Sequence, residues 1–258
     1  TVLTPHSGFS KKRLKQKNYI LKLIFQKILQ KFFFHLVDRI HCISYEEKAD
    51  LRNFISYEKI FVLGNGIDIE KINNEFSKNF SHKDNNSKIK FGLVGRISKE
   101  KNIMGLINAI NLLNKDISNK IELKIVGEIN NYAKKIIKET KRIGLESSVK
   151  FVGKVSNEDK WRILDDLDVF IQPSFDEAGL SIAIREAMYF QNPIILTLDC
   201  KPSSIRYENF VKIIRNNNYI EIAECLEETM QEIENFKENG KYAKKYIKNN
   251  CNWELIAS

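Results

Sequence analysis

Short β-branched runs alternate with longer amphipathic stretches along nearly the whole chain, and this alternation most limits what it can fold into. The strand-like runs are Val2–Thr4, Arg39–Ile43, Ile60–Leu63, Lys90–Val94, Glu122–Val126, Val149–Val152, Val169–Ile171, Ile194–Thr197 and Val211–Ile214. Between most of them lie helix-like stretches: Tyr19–Val37, Tyr45–Asn53, Ile103–Lys115, Tyr132–Ile143, Glu158–Asp165, Ser181–Phe190 and Tyr219–Phe236. Strand–helix–strand repetition implies parallel sheets in a doubly wound α/β fold. Such sheets take ligands beyond the carboxyl ends of their strands, where the strand order reverses.

The pattern divides the chain. A stretch rich in Asn, Ser and Lys, Asn73–Lys88, reads as a linker or exposed loop between two α/β regions. The second region carries enough βα units for a full mononucleotide-binding half. The first offers only the last strands of such a half, and Val2–Thr4 reads like the end of a strand. Several βα units, each roughly 30 residues, are therefore expected upstream in a longer parent. The resulting division is 1–66 as the remnant of a first domain, 67–238 as a nucleotide-binding domain, and 239–258 as a terminal helical segment.

Composition narrows the class of partner. Hydrophobic residues make up 43% of the 258, which suits a globular domain and argues against disorder. The net charge of +9 suggests an anionic partner, although abundant Lys, Asn and Ile would give the same excess through compositional drift. No nucleic-acid-binding motif or basic-aromatic surface pattern accompanies the charge, so no nucleic-acid partner is expected. Cys42, Cys200, Cys225 and Cys251 form no CxxC pair and sit near no His cluster, which disfavours zinc and a disulfide framework. Reduced thiols and the lack of a signal-peptide pattern suggest a cytoplasmic protein. In Lys11–Val37, Leu21, Ile24, Phe25, Ile28, Phe32 and Phe33 share an apolar side that lysines and glutamines interrupt, so it does not read as a membrane span. Two readings of it stand: a basic amphipathic helix on the anionic inner face of the plasma membrane, or an ordinary core helix with a solvated basic face.

Four local features carry the chemistry. Gly64-Asn65-Gly66-Ile67-Asp68 follows a strand, and two glycines around Asn favour a tight turn with positive φ. Gly95-Arg96-Ile97-Ser98-Lys99-Glu100-Lys101-Asn102 follows another strand. Its Gly95 permits close backbone approach, Arg96 offers a fork suited to phosphate oxygens, and Lys101 adds a point charge at a helix start. Gly127 ends a third strand and again permits close approach. Last comes Pro173-Ser174-Phe175-Asp176-Glu177-Ala178-Gly179-Leu180-Ser181, which runs into a helix containing Glu186. Gly179, Leu180 and Ser181 should present backbone N–H groups at that helix start, and Glu186 could grip vicinal hydroxyls of a ribose.

In this order the features resemble glycosyltransferase family 4, and the closing Trp253-Glu254-Leu255-Ile256-Ala257 resembles its terminal helix signature. The resemblance implies a GT-B-type α/β fold, here one complete Rossmann-like doubly wound domain plus the remnant of a second, acceptor-side domain. It implies a retaining glycosyltransferase that takes a nucleotide-sugar donor and a glycan or lipid-linked acceptor, with bacterial surface polysaccharide or lipopolysaccharide synthesis as its setting. No metal or other cofactor is expected. Carried over residue by residue, Arg96 and Lys101 would hold the donor diphosphate, with Gly95 and Gly127 beside it. Glu177 would contact the donor sugar, with Gly179, Leu180 and Ser181 supplying amides, and Glu186 would bind the ribose. His6, in Thr4-Pro5-His6-Ser7-Gly8, resembles a strand-end His on the acceptor side. Glu177, Arg96, Lys101 and His6 are thus the candidate catalytic residues.

Two departures qualify this. The family usually places seven residues between its two acids, which would put Ala178 at the first position. Either a one-residue bulge restores Glu177 or the first acid is functionally absent. Gly64 also stands where Pro is usual. The competing readings are a sugar-nucleotide epimerase on the same fold and a degenerate nucleotide-sugar-binding module without turnover.

Overall fold

The computed structural model describes residues 1–5, 36–51, 55–76, 88–175, 177, 179–200 and 203–257. His6 and most of the Lys11–Val37 segment lie outside them. Two parallel sheets are present among these residues.

The first sheet has the order β1-β2-β3, with β1 at Val2–Leu3, β2 at Arg39–Cys42 and β3 at Ile60–Val62. Ile40, Cys42 and Ile60 bury one side of it against Leu51 of helix α1 (Tyr45–Leu51). The second sheet has six strands: β4 (Ile89–Val94), β5 (Ile121–Val126), β6 (Val149–Gly153), β7 (Val169–Gln172), β8 (Ile194–Thr197) and β9 (Val211–Ile214). Its order is β6-β5-β4-β7-β8-β9, all parallel. Counted from its own first strand this is the doubly wound order 3-2-1-4-5-6, and the order reverses between β4 and β7.

Both faces of this sheet are covered, so its strands are continuously apolar with alternate residues serving opposite cores. Phe91, Leu93, Val169, Ile171 and Ile195 enter one core, and Val94, Phe170, Ile194 and Leu196 enter the other. Helix α3 (Ile103–Leu112), α5 (Asn131–Arg142) and α8 (Tyr219–Gln231) cover the first face. Helix α6 (Asn157–Asp166), α7 (Ile182–Tyr189) and α10 (Gly240–Asn250) cover the second.

The expected helix elements need three corrections. Ile103–Lys115 is two helices, because α3 ends at the extended Leu113 and Asn114 caps a short α4 (Lys115–Ser118). Tyr219–Phe236 likewise breaks at Glu232, and α9 (Ile233–Glu238) follows. Between the sheets, α2 (Ile69–Glu75) occupies residues expected to begin a linker. Asp68 caps it at Lys71 N, and Asn73 accepts a 2.6 Å bond from the Tyr189 hydroxyl. Among the described residues no helix is long and apolar enough to cross a membrane.

The chain end returns to the junction between the sheets. Ile67 N donates to Cys251 O at 2.8 Å, and α11 (Trp253–Ala257) begins where Trp253 N reaches Ile67 O. This explains Gly66: a Cβ there would lie 2.7 Å from the Trp253 ring. Neither Gly64 nor Gly66 has positive φ, so the expected tight turn does not form.

Candidate active site

The loops after β4 and β7, the strands flanking the reversal of order, enclose a cavity of about 540 Å3. It brings together Gly95, Arg96, Lys101, Glu177, Gly179, Leu180 and Ser181 of the expected site. Ile43 and Asn65, from the loops after β2 and β3, close its far side.

Gly95 leaves β4 at φ +150, with its N–H on Val126 O. A 3-10 turn at Lys99–Lys101 follows, and Asn102 adopts φ 48 to start α3. The turn swings Lys101 back under Gly95, where it is 9% exposed and ion-paired with Glu177 Oε1. Arg96 lines the cavity, is exposed, and makes no ion pair among the described residues.

Three further ties hold the two loops in register. Phe175 N donates to Glu100 O at 2.7 Å. Asn102 Nδ2 donates to Asn217 Oδ1 at 2.6 Å, and Asn217 Nδ2 donates to Pro173 O at 3.0 Å. Glu177 N anchors on Asp199 O in the 3-10 turn that follows β8. Gln172, fully buried at the end of β7, donates from Nε2 to Glu177 Oε2 at 3.0 Å and accepts from Ser181 Oγ at 3.3 Å. Both Glu177 oxygens are thus engaged, and Glu177 lines the cavity. Ala178, which the family spacing would put at the first acidic position, lies outside the described residues.

At the far end of this loop Gly179 takes φ +79, which an L side chain rarely adopts, and it approaches Ser44 of the first unit. Ser181 then caps α7 by accepting from Ile184 N. Ser181, Ile182 and Ala183 at the start of that helix line the cavity, and a helix N-terminus favours negative charge.

Two expected donor residues stand apart from the cavity wall. Gly127 is required by the backbone, because a Cβ there would lie 2.1 Å from Gly95 O. Its bare Cα lets the β4 and β5 loops pack together, so it shapes the Gly95 loop from behind. Glu186 lies along α7, 7% exposed, with Oε1 accepting from Lys160 Nζ at 2.7 Å and Trp161 Nε1 at 3.1 Å. Lys160, Trp161, Gln172 and Asn217 went unread in the sequence: Lys160, Trp161 and Asn217 partner groups at least 25 residues away, and Gln172 sits unmarked inside an apolar strand.

A doubly wound domain whose reversal point holds a cation-bearing cavity, closed by the loops of a second parallel sheet, defines the GT-B architecture. Residues 74–253 match the family described as Glycosyl transferases group 1, and residues 1–71 match Glycosyltransferase Family 4. The chain belongs to the group 1 glycosyl transferases. It is similar to an uncharacterized glycosyltransferase of Methanocaldococcus jannaschii, 29% identical over 96% of this chain and 63% of the relative. It is also similar to the capsular polysaccharide biosynthesis glycosyltransferase CapH of Staphylococcus aureus, 31% identical over 74% of this chain and 48% of the relative. Its fold matches the Anabaena protein HepE solved with UDP and glucose, at a TM-score of 0.80 and 17% identity, covering 99% of this chain and 68% of that one. The chain thus spans less than two thirds of the length of both curated relatives.

Proposed function

We propose that this chain carries the donor half of a retaining glycosyltransferase that moves a sugar from a nucleotide-sugar to a glycan or lipid-linked acceptor in surface polysaccharide assembly. On this reading residues 67–238 hold the donor, 1–66 belong to the acceptor side, and 239–258 return across the junction. The observation that carries it is the constellation of Arg96, Lys101 and Glu177 at the reversal of strand order. Glycosyl transfer breaks a C–O bond to a diphosphate, and negative charge grows on the leaving oxygen. Arg96, Lys101 and the amides at the start of α7 would stabilise that charge more in the transition state than in the ground state. Glu177 would accept from sugar hydroxyls through its remaining lone pairs. The UDP and glucose in the HepE complex and the capsular role of the relative CapH support a UDP-linked donor and a polysaccharide product.

Calorimetric titration of UDP, GDP and ADP, and then of their sugars, tests the reading. Selective binding of UDP, tightened by an attached sugar, is the expected result. A folded chain that binds none of them would falsify it.

A further inference from the structure

A second cavity, of about 440 Å3, lies between the two units. It shares Ile43, Asn65, Gly179 and Leu180 with the donor cavity, so the two adjoin at the Gly179–Leu180 turn. Arg96 and Lys101 line only the donor side, and Arg185 of α7 lines only the other.

Arg185 is a buried cation with no carboxylate partner among the described residues; its titratable neighbour is the Cys251 thiol, which shares the cavity wall and a hydrogen bond with it. Its residue is 6% exposed. Nη1 donates to the Leu180 carbonyl, Nε has no acceptor, and no carboxylate pairs with the guanidinium among the described residues. Nη2 points toward the opposite wall, 3.9 Å from where a Cβ on Gly64 would lie. Glycine at position 64 therefore leaves room in front of it. An unpaired buried guanidinium is costly, and an anion beside it offsets that cost. The acid in the cavity wall, Glu46, is turned onto Ser203 Oγ. Hydroxyls of Ser44 and Ser204 and the amide of Asn250 complete a wall able to donate hydrogen bonds.

We propose that this cavity is an anion subsite, separate from the donor diphosphate site, in which Arg185 receives one phosphate or carboxylate group. The planar fork of the guanidinium suits such oxygens. The subsite stands without the donor reading. Only its assignment to an anionic group of the second substrate, lying beside the donor at the Gly179–Leu180 turn, rests on that reading.

The test uses the full chain with UDP present to fill the donor cavity, and titrates inorganic phosphate and, in parallel, glucose 1-phosphate. Saturable one-to-one uptake is expected, weakened at least tenfold in Arg185→Gln and strengthened in Glu46→Gln, which removes a like charge. Arg185→Gln also loses the bond to Leu180, so Ser204→Asp provides a second variant with Arg185 intact. Its carboxylate at the rim should abolish phosphate uptake and raise the thermal midpoint. Tighter binding of the sugar phosphate assigns the subsite to a phosphorylated substrate, and equal binding assigns it to free phosphate. No saturable uptake by the wild type, or uptake unchanged in the Arg185 and Ser204 variants, overturns the proposal. Uptake that depends on Arg185 in a chain that binds no UDP would sink the donor reading and leave this subsite standing.

Discussion

Gln172 Nε2 holds Glu177 Oε2 at 3.0 Å from a position with no exposed surface. A buried strand-end amide therefore sets the direction of the acid that the spacing left in question. Its other end accepts from Ser181 Oγ, which locks the acid loop to the start of α7.

Replacing Gln172 by Met keeps length and volume and removes both hydrogen bonds. Glu177 would keep its pair with Lys101 but lose the tie that fixes its second oxygen. UDP affinity should stay within twofold of wild type. The extra affinity of a UDP-sugar over UDP should fall about tenfold, roughly 1.4 kcal/mol. Calorimetry with both ligands reads the two numbers separately; an undiminished sugar increment would show that Gln172 does not position Glu177.

Lys101 and Arg96 should separate binding from stability. Lys101 is nearly buried and paired with Glu177, and Arg96 is exposed. Both alanine variants should weaken UDP binding at least tenfold. Lys101→Ala should also cost about 2–3 kcal/mol in urea unfolding, because it leaves the Glu177 carboxylate without its cation. Arg96→Ala should stay within about 0.5 kcal/mol of wild type. Equal stability losses in the two variants would contradict the placement of Lys101.

The strands were legible because both faces of the six-stranded sheet are buried. A strand of that kind reads as a continuous β-branched run, and the runs Ile194–Thr197 and Val211–Ile214 coincide with β8 and β9. Helix α2 was not legible. It buries only Ile72, and Glu70, Lys71, Asn73 and Asn74 give it the composition of a loop. The same logic divides the site. Glycines and charges in loops after strands stand out against their surroundings, so Gly95, Arg96, Lys101 and Glu177 could be read. Lys160 and Trp161 resemble any amphipathic helix until folding sets them against Glu186, 26 and 25 residues away. The purpose of Gly66 was equally hidden, because its partner Trp253 lies at the other end of the chain.

Glu186 serves the structure as well as the proposed ribose contact. Glu186→Ala would leave Lys160 Nζ and the buried Trp161 Nε1 without their acceptor, a loss of about 1–3 kcal/mol. It should also weaken nucleotide binding at least tenfold. Glu186→Gln keeps an acceptor for Trp161 and should recover most of the stability but not the affinity. If nucleotide affinity is unchanged in both variants, the ribose role is lost and the structural one remains.

The thiols set an alkaline limit. Burial pushes Cys42 up to about 12, with the Glu47 carboxylate adding to the shift, and burial pushes Cys225 up to about 11. Their unfolded counterparts ionise near 9.0. A folded pKa raised above the unfolded one contributes stability that is fully present below pH 9 and is lost as pH climbs toward 11 and 12. Urea melts should thus lose midpoint above pH 9. At pH 8 a thiol reagent should label the buried Cys42 rapidly only after unfolding; fast labelling of it in the native chain would rule out the buried neutral thiol.

Gly127 and Gly144 offer a paired control for the shape of the donor loop. An alanine Cβ at 127 would lie 2.1 Å from Gly95 O, so the Gly95 loop has to move and carry Arg96 with it. Gly144→Ala meets nothing within 4 Å, but its φ of +74 costs a side chain about 1–2 kcal/mol at a site outside the cavity wall. Overpacking at 127 should cost about 1–3 kcal/mol, so both variants should be destabilised by comparable amounts. Only Gly127→Ala should weaken UDP binding. Should both variants bind UDP as wild type does, the close packing of Gly127 on Gly95 would have no bearing on the donor cavity. If both lose affinity in step with stability, the effect belongs to the fold as a whole rather than to the Gly95 loop.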